Sequence, residues 1–446
     1  MAGRIVLSLF ATGFAYAAAA LSPAHVNRDL RSFLSSSAVI DGYNATAYAR
    51  WSNFDAPHPG VVISPGSEQD VATIVSYCTS NKIPFLTQSG AHGWANTFQL
   101  NESGILINIK SLDSVVFNAN KTEVTVGGGV AISDVISAGS KAGALVQTGN
   151  CNCVGALGAI LGGGYGNLLG LVGFGVDNLL SVNLVLANGT LANITPKDKD
   201  LWWALRGAGP NFGIVTSAKV KSYPVSSSGQ TAWFGQLVYS GSKVEEVVQT
   251  IQNTTLKPKM SEGRAAFMAF LELGPSQDTT TELQYPHWND GAASFCEKGG
   301  YKPSYSVGLA NMHPTTWRQV WNEYVSWVSI NGTGNSIILM EAYSLEKARS
   351  FAPSSSSFAW RNDVNFNAVV IPWYYDTRLG SKAQSWGRKV RNMWRETDDL
   401  AAPASYVNFA HGDETLHTVY GDNVSRLKKV KKEIDPNSVF NQWFEI

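Results

Sequence analysis

The hydrophobic pattern of the first ninety residues predicts two strands joined by a helix. Residues 61–64 form an apolar run typical of a strand, and Pro65 and Gly66 form a turn. Apolar residues then recur at helical spacing between Val71 and Cys78, and residues 84–86 begin a second strand. That strand leads into a turn of small residues, an order typical of a loop that binds phosphate at the end of a sheet.

The same patterns continue along the rest of the chain and predict a mixture of strands and helices. We predict strands at 105–109, 124–126, 180–187, 214–216, 232–239, 265–271, 336–342 and 367–374, and helices at 131–142, 202–206, 243–252 and 316–328. Asn188 and Gly189 are a hairpin signal. The composition changes at 224–229, PVSSSG, which indicates a linker between two parts of the chain.

Glycine clusters between the predicted elements point to a large, flat ligand. The segment 151–166, CNCVGALGAILGGGYG, is so rich in glycine that we expect turns in it and no packed helix or strand. Residues 88–93 and 207–213 are two further turns of small residues. Glycine can take positive φ and approach a ligand closely, and consecutive N–H groups form nests for anions. One interpretation of these clusters is that their backbone holds a dinucleotide, with His92 and Cys151 as tethers. The alternative is that the glycines form ordinary turns and allow tight packing.

The amino-acid composition indicates a globular protein and gives no sign of binding to nucleic acid or to an acidic membrane. Hydrophobic residues make up 44% of the 446 residues and charged residues 15%, which is typical of a globular protein. Lys and Arg total 34 residues, and Asp and Glu also total 34, so the formal net charge is zero. This charge balance gives no indication of electrostatic binding to nucleic acid or to an acidic membrane. Fourteen Trp and sixteen Tyr indicate large apolar pockets. We expect a monomer without a metal site.

The amino terminus has the pattern of a secretory signal peptide. Arg4 precedes an apolar stretch at 5–20, and Ala18 and Ala20 offer a cleavage site before Leu21. A buried first helix is the alternative. Eight N-glycosylation sequons support secretion, into the medium or a secretory compartment: Asn44, Asn101, Asn120, Asn188, Asn193, Asn253, Asn331 and Asn423.

Four cysteines could pair in such a compartment. A bond between Cys151 and Cys153, only two residues apart, would be strained, so we expect no full disulfide framework. A bridge between Cys78 and Cys296 stays open.

Four blocks, in this order, carry a family resemblance: PGSEQDVATIVSYCTSNKIPFLTQSGAHGW, TGNCNCVGALGAILGGGYG, DLWWALRGAGPNFGIVTSAKVKSYP, and the tail with YVNF and RLKKVKKEIDPNSVFNQWFEI. From about residue 35 to 446 the chain resembles secreted flavoproteins of the vanillyl-alcohol-oxidase-like superfamily, specifically fungal relatives of the berberine bridge enzymes and oligosaccharide oxidases. Each block alone is weak, whereas the four together are highly specific.

The resemblance implies an α+β fold with a PCMH-type FAD-binding domain of two subdomains. A substrate domain, built on an antiparallel sheet covered by helices, is inserted into it. The expected divisions are a signal peptide at 1–20, the FAD domain at 21–224, the substrate domain at 225–395 and a returning segment at 396–446.

The resemblance also implies covalent FAD. His92 matches the histidine bonded to the 8α-methyl carbon, and Cys151 the cysteine bonded to C6; Cys153 either packs as a small apolar residue or is the linked thiol in a shifted register. The expected FAD-binding residues are Ser89, Gly90, Ala91, His92, Gly93, Gly149, Cys151, Val154, Gly155, Gly158, Gly162, Gly163, Gly164, Gly166, Gly213, Ile214 and Asn408.

The chain departs from the family pattern at three positions. Gln88 replaces an arginine, which weakens the case for binding pyrophosphate. Ala91 replaces a glycine and is tolerable only if its φ stays negative. Phe409 replaces a frequent tyrosine, which puts the catalytic base in question.

Hydride transfer to FAD needs a base for the substrate O–H or N–H proton. Tyr406 is our first candidate, followed by Tyr374 and Tyr375, while His411, Asp413 and Glu341 cannot be placed. We expect an oxidase that transfers hydride from a small molecule, a secondary-metabolite alcohol, phenol or sugar, to FAD and is reoxidised by O₂ to give H₂O₂. A redox-neutral cyclase and an inactive secreted binding protein are the alternatives.

Overall fold

The computed structural model describes residues 21–256, 260, 263–270 and 278–446. The expected signal peptide at 1–20 lies outside these residues. No helix within the described ranges is both long enough and apolar enough to cross a bilayer.

The first subdomain is a four-stranded sheet of β1 (Val39–Gly42), β2 (Val61–Ser64), β3 (Phe85–Gln88) and β4 (Ile105–Asn108), with helices α1 (Pro23–Leu30) and α2 (Glu68–Ser80). The order is β1-β2-β4-β3, with β2, β4 and β3 parallel. The Ser67 hydroxyl caps α2 by accepting from the Asp70 N–H. The predicted strand, helix and strand are confirmed, and β3 ends directly before the turn at 89–93.

The second subdomain is an antiparallel sheet in the order β5-β6-β10-β8-β9, with β7 paired to the end of β10. Its strands are β5 (Val115–Phe117), β6 (Glu123–Gly127), β7 (Ala144–Val146), β8 (Leu179–Val185), β9 (Leu191–Ile194) and β10 (Ile214–Pro224). Its helices are α3 (Ile132–Ala142), α4 (Ala156–Leu161), α5 (Leu169–Val172) and α6 (Lys199–Ala208). The expectation of turns alone in the glycine-rich segment was wrong, because the apolar side chains of α4 are buried in the core and hold that stretch in a helix.

The remaining sheet has the order β12-β15-β16-β14 and is antiparallel throughout, beside a separate β11–β13 pair. The strands are β11 (Thr231–Gln236), β12 (Ala265–Phe270), β13 (Thr279–Gln284), β14 (Tyr305–Leu309), β15 (Ile337–Tyr343) and β16 (Phe366–Ile371). The helices are α7 (Val244–Leu256), α8 (Pro314–Val328), α9 (Glu346–Arg349), α10 (Gly380–Thr397), α11 (Leu416–Tyr420) and α12 (Val424–Ile434). Helix α10 spans the division that we expected at 395.

Alternation along β15 gives this sheet two different faces. Ile338, Met340 and Ala342 belong to the same core cluster as side chains of α7, α8 and α10. The intervening residues, among them Leu339 and Glu341, line a cavity on the opposite face. Strand β14, which the sequence pattern did not predict, is one of the two edge strands of this sheet.

A buried ion pair joins the two halves behind this cavity. Arg361 donates two hydrogen bonds of 2.7 Å to the Asp177 carboxylate, and both side chains are fully buried. Arg361 also donates to the Ala348 carbonyl, and Asp177 accepts from the Phe174 N–H. Buried charges are tolerated only when they are paired and hydrogen-bonded in this way.

One disulfide among the four cysteines confirms that they form no full framework, but the pairing is not the one that the sequence left open. Cys153 and Cys296 form a disulfide, whereas Cys78 and Cys151 are free thiols. Cys78 is fully buried on the core face of α2, so the open bridge to Cys296 was wrong. Cys153 is neither a packed thiol nor available to a flavin, because its sulfur is already bonded.

Candidate active site

One large cavity separates the two glycine-rich loops from the sheet that contains β15. Its volume is about 1970 Å³. Small-molecule sites usually measure about 300–1,000 Å³. The cavity is therefore large enough for an extended dinucleotide and a second organic molecule.

The two loops meet through their backbones. A Cβ added at Gly90 would lie 2.3 Å from the Gly155 nitrogen, and one added at Gly155 would lie 2.7 Å from Ser89 Oγ. The Ser89 hydroxyl donates to the Gly128 carbonyl, which fixes the first loop against the second subdomain. At Gly158 an added Cβ would meet nothing within 4 Å, so this backbone is open toward the cavity and a flat ring could approach it closely.

Most of the predicted FAD-binding residues line this cavity. The lining includes Ser89, Gly90, Ala91, His92, Gly93, Gly149, Cys151, Val154, Gly155, Gly158, Gly213, Ile214 and Asn408. Four predicted glycines are not among the described residues that line the cavity, and their role in binding FAD stays a prediction. Gly162 packs on Asn408, Gly163 on Tyr406 and Phe358, Gly164 on Gly175, and Gly166 on the Thr148 carbonyl. They let neighbouring segments approach behind the cavity wall.

Ala91 has a left-handed backbone, contrary to our expectation. Its φ is +59°, and its carbonyl accepts a hydrogen bond from the Trp51 N–H. A left-handed backbone costs an L-residue on the order of 1–2 kcal/mol. The loop holds the same shape that glycine would adopt, at the expense of this local strain.

The His92 imidazole lines the cavity, and within the described chain one of its ring nitrogens is unpartnered. The ring stacks on Trp51 at 5.7 Å, and its buried Nε2 has no hydrogen-bond partner among the described residues. Burial, reinforced by Lys302, Lys298 and Arg50, lowers the pKa of His92 to about 4. The imidazole is therefore neutral at pH 7 and retains a free lone pair.

Arg50 places a positive charge beside Gln88, the position at which the family pattern has an arginine. Its guanidinium donates to Gln88 Oε1 at 3.0 Å and to the Gly93 carbonyl at 2.7 Å, and it lies over the Phe98 ring. Burial lowers the pKa of Arg50 to about 10, so it remains charged at neutral pH. No motif marks this residue, because it lies 38 positions before its partner and is brought there by folding.

Tyr406 lines the cavity but is committed to structural hydrogen bonds. Its hydroxyl accepts from the Gly164 N–H at 3.1 Å and from Asn408 Nδ2 at 2.8 Å, and it donates to the Ala159 carbonyl. Burial raises the pKa of Tyr406 well above the usual value. This tyrosine fits a role in fixing the glycine-rich segment better than a role as a base.

The other two candidate bases, Tyr374 and Tyr375, are not among the described residues that line the cavity, and their role stays a prediction. Tyr374 stacks on Tyr301 at 5.4 Å. Tyr375 is exposed and donates to Glu297. Both follow β16 after it has ended at Ile371, so neither continues the face that lines the cavity.

Glu341 is the titratable group that sequence reasoning could not place. It lines the cavity from β15 and accepts a 3.0 Å hydrogen bond from the Tyr343 hydroxyl, which in turn accepts from Asn150 Nδ2. Burial raises the pKa of Glu341 to about 7, and the Tyr343 hydrogen bond opposes that rise. The only sequence signal is a glutamate on the cavity-facing register of an otherwise apolar strand.

His411 and Asp413, which the sequence also left unplaced, lie away from the described lining. His411 stacks on Tyr305 and bonds the Ser304 carbonyl, and Asp413 pairs with Arg391. Phe409 does line the cavity, where it packs against Trp94 and Tyr406. A phenyl ring at this position cannot exchange a proton.

The wall opposite the loops is apolar. Its lining side chains include Phe267, Leu339, Val369 and Ile371. Among the described lining residues, four carry formal charges: Arg50, Lys243, Glu246 and Glu341. Lys243 and Glu246 pair with each other on an exposed helix start, so Glu341 is the charged group of this apolar wall.

These residues fit a flavin dinucleotide. The open backbone at Gly158 suits a flat ring, Arg50 suits a phosphate, and the neutral, unpartnered His92 nitrogen suits a covalent bond to carbon. The free Cys151 thiol lines the same cavity. Fold and site together define a flavin-dependent redox enzyme.

Comparison with known proteins gives the same class. The FAD binding domain family matches residues 59–195, and the berberine and berberine-like family matches residues 405–443. The FAD-linked oxidoreductase OXR1 of Pyricularia oryzae is 31% identical over 433 residues, covering 88% of this chain and 84% of that protein. The FAD-linked oxidoreductase chry5 of Gibberella zeae is 31% identical over 460 residues, covering 90% of each.

Solved structures match the fold over nearly the whole chain. A variant of the Physcomitrella patens BBE-like 1 protein has a TM-score of 0.81 at 18% identity, covering 94% of this chain and 98% of that one. The xylooligosaccharide oxidase from Myceliophthora thermophila C1, solved with xylobiose, has a TM-score of 0.80 at 17% identity, covering 95% and 99%. The chain belongs to the berberine bridge enzyme-like family of FAD-linked oxidoreductases. The predicted α+β, PCMH-type fold is confirmed.

Proposed function

We propose that this oxidoreductase removes hydride from the carbon that bears the hydroxyl group of a neutral, largely apolar alcohol, and that O₂ then accepts the electrons to give H₂O₂. The apolar wall carries this proposal. It offers an extended hydrophobic contact area and a single charged side chain, which suits an aromatic or polycyclic metabolite better than a sugar.

Glu341 takes the substrate's hydroxyl proton in this proposal. The FAD supplies the hydride acceptor. Removing the O–H proton lets the C–O bond become a carbonyl as hydride leaves, and a carboxylate whose pKa is about 7 is matched to that task at neutral pH. Tyr343 orients the carboxylate through its hydrogen bond, and Asn150 orients Tyr343.

The remaining lining residues hold the cofactor. Arg50 and the N–H groups of the loop at 89–93 would hold the pyrophosphate, and the backbone around Gly158 would lie against the ring system. We propose His92 as one covalent tether and Cys151 as a second. The neutral imidazole supports the first, and a free thiol in the cavity wall supports the second.

We also propose that the protein passes through the secretory pathway. Seven of the eight sequon asparagines are exposed, and only Asn423 is half-buried, so glycans can be accommodated on the folded surface. A disulfide between Cys153 and Cys296 is typical of an oxidising compartment.

Neutral aromatic alcohols should reduce the flavin anaerobically, and with O₂ they should yield H₂O₂ in equal amount to the carbonyl product. Carboxylated analogues of the same alcohols should be much poorer substrates, because the apolar wall holds no cation to pair with them. Stopped-flow absorbance and a peroxide assay measure both. Turnover without oxygen consumption would instead support a redox-neutral cyclase.

Replacing Glu341 by Gln should slow anaerobic flavin reduction about a hundredfold or more, the usual range for loss of a general base. In the wild type the rate should rise about tenfold per pH unit up to about pH 7 and then level, because the ionised carboxylate is the active form. Tyr343→Phe removes a hydrogen bond that lowers the pKa of Glu341, so the rising part of the pH–rate profile should move to higher pH. Glu346→Gln, on an exposed residue, is the control, and an unchanged rate in Glu341→Gln would exclude this base.

Acid-precipitated protein should stay yellow, since the flavin is bonded to the chain. His92→Ala should lose the flavin mass from the peptide that contains residue 92, while the exposed His58→Ala should keep it. Adding Cys151→Ser to His92→Ala should release all flavin into the supernatant. Release of all flavin from the wild type would contradict both tethers.

Expression in a eukaryotic host should deliver the protein to the medium with Leu21 at its amino terminus. Endoglycosidase treatment should increase its mobility on a denaturing gel. Amino-terminal sequencing and the gel shift measure this. Protein retained in the cytosol with Met1 present and no shift would argue against the secretory route.

A further inference from the structure

Three sulfur atoms cluster at the glycine-rich loop, and the residue of one of them, Cys151, lines the cavity. The free Sγ of Cys151 lies 3.5 Å from Cys153 Sγ and 3.9 Å from Cys296 Sγ, and the latter two are bonded to each other. A free thiol in contact with both sulfurs of a disulfide is the arrangement from which thiol–disulfide exchange proceeds. Nothing in the oxidation chemistry uses this disulfide.

We infer that Cys151, Cys153 and Cys296 form a thiol–disulfide exchange site. The Cys151 thiolate attacks Cys296 Sγ, the Cys151–Cys296 bond forms, and the Cys153–Cys296 bond breaks. Cys153 leaves as a thiolate and takes up a proton equivalent to the one that Cys151 released. One disulfide and one thiol are present before and after, so no oxidant or reductant is consumed.

The fold favours Cys296 as the sulfur that is attacked. Attack on Cys153 would join Cys151 to a residue two positions away, and such a short loop is strained. Cys296 ends the 3₁₀ helix Asp290–Cys296, which comes from the other half of the chain, so a bond to it closes a loop of more than 140 residues. The native Cys153–Cys296 disulfide spans a similar separation of 143 residues.

Exchange and flavin attachment compete for one atom. If Cys151 is the second tether, as the proposed function holds, its sulfur can bond to the flavin or to Cys296 but not to both. The Cys153–Cys296 disulfide therefore keeps Cys151 available, and exchange removes it. This part of the inference rests on the proposed function, whereas the exchange among the three sulfurs does not.

Burial sets the rate of the exchange. It raises the pKa of the Cys151 thiol, although a backbone N–H of Cys153 opposes the shift. Only the thiolate attacks a disulfide, so exchange should be slow at pH 7 and should accelerate about tenfold per pH unit below the thiol pKa.

The test is thiol mapping of the full-length protein. The protein is held at pH 7 or pH 9 and sampled over time into acid. Each acid-trapped sample is divided into two aliquots: the first is unfolded and then alkylated with iodoacetamide, and the second is alkylated before it is unfolded. The first is digested without reduction, so that fragment ions can assign free thiols at 151 and 153. Cys153 should become labelled as label at Cys151 falls, about a hundredfold faster at pH 9, with a Cys151–Cys296 link appearing. Label that stays on Cys151, or that appears on Cys296, overturns the inference.

Two controls separate exchange from unfolding. Cys78 is fully buried in the core, and burial raises the pKa of its thiol. In the second aliquot, which is alkylated before unfolding, Cys78 should therefore stay unlabelled as long as the chain remains folded. Cys151→Ser removes the attacking sulfur and should leave Cys153 unlabelled at pH 9. Label on Cys153 in that variant would show a route that does not need Cys151.

A variant tests the competition between the flavin and Cys296 for the Cys151 sulfur. Cys153→Ser leaves Cys151 and Cys296 adjacent as thiols, so in flavin-free protein oxidised glutathione should join them in a disulfide, and FAD supplied afterwards should not bond to residue 151. Cys153→Ser with Cys296→Ser should restore that tether. Free thiols at both 151 and 296 in the single variant contradict the exchange. Wild-type protein without any flavin on residue 151 would contradict only the proposal that Cys151 is a tether. The thiol mapping would still test the exchange in that protein.

Discussion

The contact between the Gly90 and Gly155 backbones is the constraint on which the active site depends. It brings together two loops from different subdomains, and a Cβ on either residue would overlap backbone or side-chain atoms. Because the loops touch, His92 and Cys151 line the same cavity although they lie 59 positions apart. Trp51 supports this arrangement by stacking on His92 and bonding the strained Ala91.

The second half of the chain completes the site through the alternation of one strand. Alternate side chains of β15 pack into the core that this sheet forms with its helices, and the others face the cavity. The cavity therefore receives an apolar wall and the Glu341 carboxylate from the same strand. The buried pair of Arg361 and Asp177 connects this half to the first. Removing either partner would leave a buried charge, so the pair makes the junction specific.

Two links join these halves beside the cavity: Asn150 donates a hydrogen bond to Tyr343, and Cys153 is bonded to Cys296. Asn150 precedes Cys151, the proposed second tether, and Cys153 lies two positions after it. The Glu341 carboxylate, through Tyr343, and the three sulfurs are thus joined to the same short loop, so a change at Cys151 would reach each of them through neighbouring atoms.

Periodicity, glycine spacing and motif order determined much of this protein in advance: the α+β class, the strand and helix before the first loop, the family, and the loops that contain His92 and Cys151. These are local properties, encoded within a few residues of each other. Tertiary structure alone decided that Arg50 stands in for the arginine missing at Gln88, that Cys153 pairs with Cys296, that four glycines serve packing, and that Glu341 rather than Tyr374 or Tyr375 lines the cavity. The reason is distance along the chain, since each of these depends on groups brought together from separate segments, and neither a residue's type nor its neighbours in sequence specify that approach.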